Sequence, residues 1–277
     1  MKYSSVLCDT YEIEHELDAG RTGAVYKAWH KRLRKHVIIK EIRHSYFINE
    51  ESRRNEVEAL KRVKSLYLPQ VFDFLSEEKR SFTVMEFIEG DCLGNLLKQH
   101  KKFSQYRVIE WYGQLATALV ELHEFDICHG DIKPSNIMLR QDGKVCLIDF
   151  NVAIVKGNDT HIISRSHGYA SPEQNKLFIH YKNQTVLNGE NIDWKLSDIH
   201  NLGAAMYHIL TGKRMKYDTT GRVLQTNFDK WQAPDNANSF NLPPCLFIIQ
   251  RSTHPNPDNR FSSATALSRT IQSLLSV

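Results

Sequence analysis

The chain predicts a segregated α+β fold, strand-rich in its first third and helical in the remainder. Three observations carry this. Up to about residue 88 the apolar residues fall mostly in short alternating runs separated by Gly or basic turns. After residue 91 they recur every three or four positions. The change of period coincides with one break, Glu89-Gly90-Asp91.

Taken in order, Tyr11 to Leu17, Gly23 to Trp29 and Lys35 to Ile42 are strand candidates. Residues 50–65 switch to a helical period, with Val57, Leu60, Val63 and the aliphatic stem of Lys64 on one face. Val71-Phe-Asp-Phe-Leu and Phe82-Thr-Val-Met-Glu-Phe-Ile return to strand character. In 106–123, Ile109, Tyr112, Leu115, Ala116, Leu119 and Leu122 form an apolar stripe. Asn201 to Leu210 reads as a compact apolar helix ending at Thr211-Gly212. Ser262 to Leu275 closes the chain as a helix, with Ser262 or Ser263 as its cap.

At 277 residues the chain suffices for one large domain or two tightly joined lobes. Its 41% hydrophobic and 25% charged residues are ordinary for a globular protein. A formal net charge of +4 argues neither for nor against nucleic acid, and no other feature suggests it as a partner. No run approaches the ~18 apolar residues of a membrane helix, so no membrane span is expected. The first residues show no apolar signal core. A cytoplasmic location follows as the expectation, with a secreted effector also compatible. The five cysteines (8, 92, 128, 146, 245) are scattered singly, which suits reduced thiols. Cys128 and Cys146 sit in apolar runs as buried fillers.

The chemistry concentrates in His129-Gly-Asp131-Ile-Lys133-Pro-Ser-Asn136 and in the run Val145-Cys-Leu-Ile-Asp149-Phe. Asp131 precedes Asn136 by five residues, and Asp149 follows Asn136 by thirteen. That set suits phosphoryl transfer from a nucleotide. Asp131 can accept a hydroxyl proton. Lys133 can neutralise charge on the moving phosphoryl group. Asn136 and Asp149 supply the hard oxygen ligands that magnesium prefers. Upstream, Gly20-Arg-Thr-Gly23-Ala-Val25 lies between two strand candidates, where glycines let backbone N–H groups approach phosphate.

With Asp149-Phe150-Asn151 and Ala170-Ser171-Pro172-Glu173, these motifs make nearly the whole chain resemble a protein kinase of the serine/threonine type, in the style of bacterial ones. The resemblance implies a two-lobed fold, with an antiparallel-sheet lobe of residues 1–88 that carries one helix and a helical lobe of residues 89–277. It implies ATP with Mg2+ (or Mn2+) as cofactor and an unidentified protein as substrate. It makes Asp131 and Lys133 catalytic and Asn136 and Asp149 the metal ligands. It gives nucleotide contacts to Gly20, Gly23, Val25, Lys40, Glu56, Glu86, Ile88 and Met138. Lys40 would be held by Glu56, with Glu58 as rival; Glu56 is preferred because Leu60 and Val63 then share its inward face. Met85 would stand at the back of the pocket, and Glu86 and Ile88 would offer backbone groups to adenine. Met138 and Phe150 would otherwise pack as lobe core, and His129 would be structural. Ser166 would contact Asp131 and Lys133. Glu173 would pair with Arg260, and Asp198 would brace the catalytic loop. Lys176 to Trp194 would be an insertion near the substrate face.

Four positions depart from the family pattern. Asp18 stands where the first loop glycine belongs, and Ile38 replaces a smaller residue against the adenine. Gly130 replaces an arginine that clamps activation-segment phosphate, and Asn151 replaces a glycine. These keep open a pseudokinase, a nucleotide-binding or scaffold module without turnover. A small-molecule kinase of the aminoglycoside or choline type also uses His-Gly-Asp. Lys133, Ser171-Pro-Glu and the Asp198 and Arg260 positions favour the protein-kinase reading.

Overall fold

The computed structural model describes residues 6–7, 9–19, 23–43, 50–77, 80–149, 154–155, 166–182, 192–218, 223–224, 227–228 and 244–276. Six strands form one antiparallel sheet: β1 (Val6–Leu7), β2 (Tyr11–Ala19), β3 (Gly23–His30), β4 (Lys35–Arg43), β5 (Val71–Glu77) and β6 (Arg80–Glu86), in the spatial order β1-β2-β3-β4-β6-β5. Alternation decides which face is dry. In β3, Ala24, Tyr26, Ala28 and His30 are buried while their neighbours are half-buried. Ala24, Tyr26 and Ala28 pack with Tyr11, Val37, Ile39, Phe82 and Val84 in a cluster of the sheet's own.

One helix, α1 (Glu50–Arg62), packs on β5. Val57, Leu60 and the following Val63 are buried as the helical period requires, whereas Lys64 is exposed and contributes nothing to that face. These residues begin a second apolar cluster that runs without interruption into the helical region. The expected break at 89–91 holds a short strand, β7 (Gly90–Cys92), followed by α2 (Leu93–Lys98).

The helical region is built around α3 (Gln105–Glu124), whose Ser104 cap accepts from the Arg107 amide. It packs on α5 (Trp194–Thr211) and α7 (Ala264–Leu275), with α6 (Pro244–Ser252) against α5. Ser263 caps α7. α5 begins seven residues before the apolar pattern from Asn201, because the Asp193 carboxylate accepts from the Lys195 and Leu196 amides at 2.9 and 3.2 Å and starts the helix there. It ends at Gly212, whose φ of 70° is the left-handed cap glycine supplies without strain. α4 (Pro172–Lys182) and α5 account for both ends of the expected insertion, so Lys176–Lys182 is helix and Trp194 is already in α5. The intervening 183–191 lie outside the described residues.

Two small ladders hold the loop between them. β8 (Ile127–Cys128) pairs with β11 (Ile154–Val155), and β9 (Ile137–Arg140) lies between β7 and β10 (Val145–Leu147). The segment 129–136 is thus tied at both ends. Among the described residues, no helix is long and apolar enough to cross a membrane.

Gly203 marks where α5 meets the end of α6: a Cβ there would lie 2.8 Å from Ser252 Cβ and 2.9 Å from Thr253 Cγ2. Gly203→Ala is expected to destabilise by about 1–3 kcal/mol through overpacking, measured by urea unfolding; an unchanged midpoint would refute the close approach. His200, on the same helix, is fully buried, and burial followed by the nearby Arg260 charge pushes its pKa down to about 3. An unfolded histidine titrates at about 6.5, so the unfolded state takes up the proton first. Stability should fall as pH drops below about 6.5, at a limiting slope on the order of 1 kcal/mol per pH unit. His200→Gln, which cannot titrate, should flatten that slope in a pH series of thermal melts.

Candidate active site

The segment 129–136 takes its shape from one buried carboxylate. Asp198, on α5, is inaccessible to solvent. Its Oδ2 accepts from the His129 amide at 2.8 Å and from His123 Nε2 at 3.1 Å, and its Oδ1 accepts from the Gly130 amide at 2.8 Å. The His129 ring then bridges two segments: Nε2 donates to the Ile148 carbonyl at 3.1 Å, and Nδ1 accepts from the Asp131 amide at 3.3 Å. That pattern fixes the neutral tautomer with hydrogen on Nε2. Gly130 has φ of 76°, left-handed backbone where an arginine would be strained. Its carbonyl accepts from Gln174 Nε2 at 2.7 Å.

Asp131 and Lys133 face each other. Lys133 Nζ donates to Asp131 Oδ2 at 2.6 Å and to Ser166 Oγ at 2.9 Å. Asp131 Oδ1 is buried with no hydrogen-bond partner among the described residues, so it remains available to accept a proton. Pro134–Asn136 forms a 3-10 turn, and Asn136 Nδ2 donates to the Asp131 carbonyl at 2.9 Å, which turns the amide oxygen outward. The Asn136 carbonyl accepts from the Ile148 amide at 2.8 Å, linking the turn to the approach to Asp149.

Asp149 has φ of 75°, a strained region that Asp tolerates better than most residues. Its Oδ1 is held by Lys40 Nζ. Burial would raise its pKa, but the Lys40 charge and hydrogen bond outweigh that and hold the carboxyl below its usual value. Asp149 Oδ2 and the Asn136 amide oxygen are hard donors of the kind a divalent cation takes.

These groups open on a cavity of about 460 Å3. Val25 and Ile38 line it from the sheet, with Met85, Glu86 and Ile88 behind. Lys40, Asn136, Met138 and Asp149 line it as well, so Met138 faces the cavity instead of serving only as lobe core. The Glu86 amide is spent on the Gln70 carbonyl at 2.8 Å. Asp18 also lines the cavity, so its carboxylate charge stands beside this space. Gly23 begins β3 but is not part of the lining, and Gly20, Phe150 and Asn151 lie outside the described residues. Glu56 lies on α1, with its side chain outside the described set.

Below the site, Arg260 Nη1 and Nη2 donate to Glu173 Oε1 and Oε2 at 2.6 and 2.9 Å, a bidentate pair. Arg260 is 2% exposed and also donates to the carbonyls of His254 and Leu196. Burial raises the Glu173 pKa, and Arg260 more than reverses this.

Sequence reasoning missed Gln174 and His123. Gln174 joins Gly130 to Asn201, whose Nδ2 donates to Gln174 Oε1 at 3.2 Å. The only signal for it was an amide directly after Glu173 at the start of a helix. His123 falls outside the apolar stripe of α3, and only its buried partner Asp198 explains it.

The description "Protein kinase domain" belongs to the family model that matches residues 11–271. The chain is 29% identical over 274 residues to a probable serine/threonine-protein kinase of Clostridium acetobutylicum, covering 95% of this chain and 39% of that one. It is 27% identical over 280 residues to the serine/threonine-protein kinase PknL of Mycobacterium tuberculosis, covering 98% and 67%. Identity is 32% over 230 residues with the human serine/threonine-protein kinase Nek5, covering 78% and 30%.

The Asp198 brace is testable on its own. Asp198→Ala leaves two buried amides and His123 without their acceptor. A loss of about 3–5 kcal/mol is expected, read from denaturant unfolding. A loss below roughly 1 kcal/mol would mean that the loop holds its shape by other contacts.

Proposed function

We propose that this chain, which belongs to the protein kinase domain family, transfers the γ-phosphoryl group of ATP to Ser or Thr hydroxyls of protein substrates. The family uses ATP and a divalent metal, and the hard oxygen donors here fit Mg2+, with Mn2+ as an alternate. The observation that carries the reading is the Asp131–Lys133–Ser166 arrangement at the edge of the cavity that Asn136 and Asp149 line.

In this reading residues 1–88 cover the nucleotide and residues 89–277 carry the transfer chemistry. Val25, Ile38 and Met138 enclose the adenine, and Glu86 and Ile88 offer it backbone groups. Gly20 and Gly23 belong to the loop over the phosphates. Lys40 supplies a fixed cation to the phosphates, with Glu56 as its partner on α1. Asp131 Oδ1 accepts the proton of the attacking hydroxyl. Lys133, already between Asp131 and Ser166, neutralises charge that develops on the transferred group. Asn136 and Asp149 would hold the metal, which neutralises charge on the β- and γ-phosphates when bound.

Asp18 and Ile38 on the cavity wall favour a second reading, a nucleotide-binding or scaffold module without turnover. One assay separates the two. Incubated with labelled ATP and magnesium, the protein should label itself or a generic basic or acidic protein. Asp149→Ala should lose this activity by at least about 100-fold, the scale of one removed electrostatic stabiliser, while circular dichroism stays native. A wild-type protein that transfers no label to any protein would leave the scaffold reading; label on aminoglycosides or choline alone would indicate a small-molecule kinase.

A further inference from the structure

A second cavity of about 530 Å3 adjoins the nucleotide cavity, and Lys133 and Ser135 line both. Ser166, which accepts from Lys133, is also on its wall. A segment seated in this second space therefore runs past Lys133, whose ammonium also holds Asp131, the proposed proton acceptor.

Its wall has one sign of charge. Lys98 at the end of α2, Lys133 and Arg214 contribute cations, His167 and His208 contribute imidazoles, and no carboxylate lines it among the described residues. Lys133 is matched by Asp131 at 2.6 Å. Lys98 and Arg214 are exposed, and neither pairs with a carboxylate among the described residues. Overall basicity does not explain this concentration, because the whole chain has 36 basic against 32 acidic residues.

The cations are also placed. The Arg214 guanidinium lies over the Tyr169 ring, 5.7 Å from its centroid. Gly168 comes close to the Arg214 stem; a Cβ there would lie 3.5 Å from Arg214 Cδ. Tyr169 Oη and His208 Nδ1 are 2.7 Å apart. Burial and then the Arg214 charge lower the His208 pKa, so its ring is the acceptor and Arg214 with Lys98 carry the charge at neutral pH.

We propose that this cavity is an anion subsite, taking a carboxylate or phosphate carried by the acceptor segment near the hydroxyl that receives phosphate. The chain would then select acidic or already phosphorylated segments. The proposal rests on the phosphotransfer reading for the position of that hydroxyl. The existence of the subsite is decided by binding alone.

The test uses four peptides with one Ser acceptor and flanks of Glu, phosphoserine, Ala or Arg. Affinity is read by fluorescence anisotropy without nucleotide, and kcat/KM is measured separately with labelled ATP. The Glu or phosphoserine peptide should bind roughly tenfold or more tighter than the Ala peptide, the scale of one charge-assisted contact, and the Arg peptide no tighter than Ala. The preference should shrink as salt rises. A lead of Glu over phosphoserine assigns the site to carboxylates, and the reverse assigns it to phosphate. Lys98→Glu and Arg214→Glu should each bring the Glu-to-Ala ratio towards one. Equal affinities for Glu, phosphoserine and Ala peptides, or a ratio unmoved in both variants, would overturn the subsite. Equal affinities together with transfer to every peptide remove only the subsite. A binding preference without transfer to any peptide removes only the phosphotransfer reading.

Discussion

The shape of the segment 129–136 depends on a carboxylate that never meets water. Asp198 receives two consecutive backbone amides, His129 and Gly130, and the ring of His123. A buried carboxylate with fewer donors would be too costly to keep. With them, it sets the direction of the loop at its first two residues. Because His129 then bonds both the Asp131 amide and the Ile148 carbonyl, the same anchor positions the approach to Asp149. A helix-borne charge thus aligns two loops that are far apart in sequence, and the helix itself is fixed by its Asp193 cap and its tight packing at Gly203.

The lower part of the site was legible because its chemistry lies in short segments. Asp131, Lys133 and Asn136 sit within six residues, and Asp149 ends an apolar run that reads as strand. Turn and strand chemistry is local, and spacing therefore carries information. Strands β2 to β6 and α3 were legible for the same reason, whereas the two- to four-residue strands β1, β7, β8, β9 and β11 are too short to show a period. The remainder depends on contacts distant in the chain. Gln174 reaches Gly130 across 44 residues, and His123 reaches Asp198 across 75. α5 hid its first turn because Trp194 to His200 mixes polar and apolar residues, and the helix starts from a cap instead of a periodic face. The helical period also could not show that Lys64 turns outward once α1 has ended.

Gly130 links the sequence departure to a structural one. At Gly130 the loop offers a backbone carbonyl to Gln174 and a backbone amide to Asp198. Both contacts use groups that need no added charge. Gln174 follows Glu173, which Arg260 fixes bidentately. The end of the segment 166–174 is therefore tied to the loop by a chain of hydrogen bonds whose members are all present in the unmodified sequence.

The charges at the centre form two crossed pairs. Lys133 lies on Asp131, and Lys40 lies on Asp149. Lys133 engages Asp131 through Oδ2 and Lys40 engages Asp149 through Oδ1. Asp131 Oδ1 stays unpartnered among the described residues. The Asp149 backbone is held at positive φ, a strain that Lys40, the Asn136–Ile148 link and the His129 ring together sustain. Lys40 and Lys133 both line the cavity, which under the proposed function is where phosphate charge would arrive. Lys133 lines both this cavity and its neighbour, and among the described residues no carboxylate lines the second space, so none on that wall competes with Asp131 for the Lys133 ammonium.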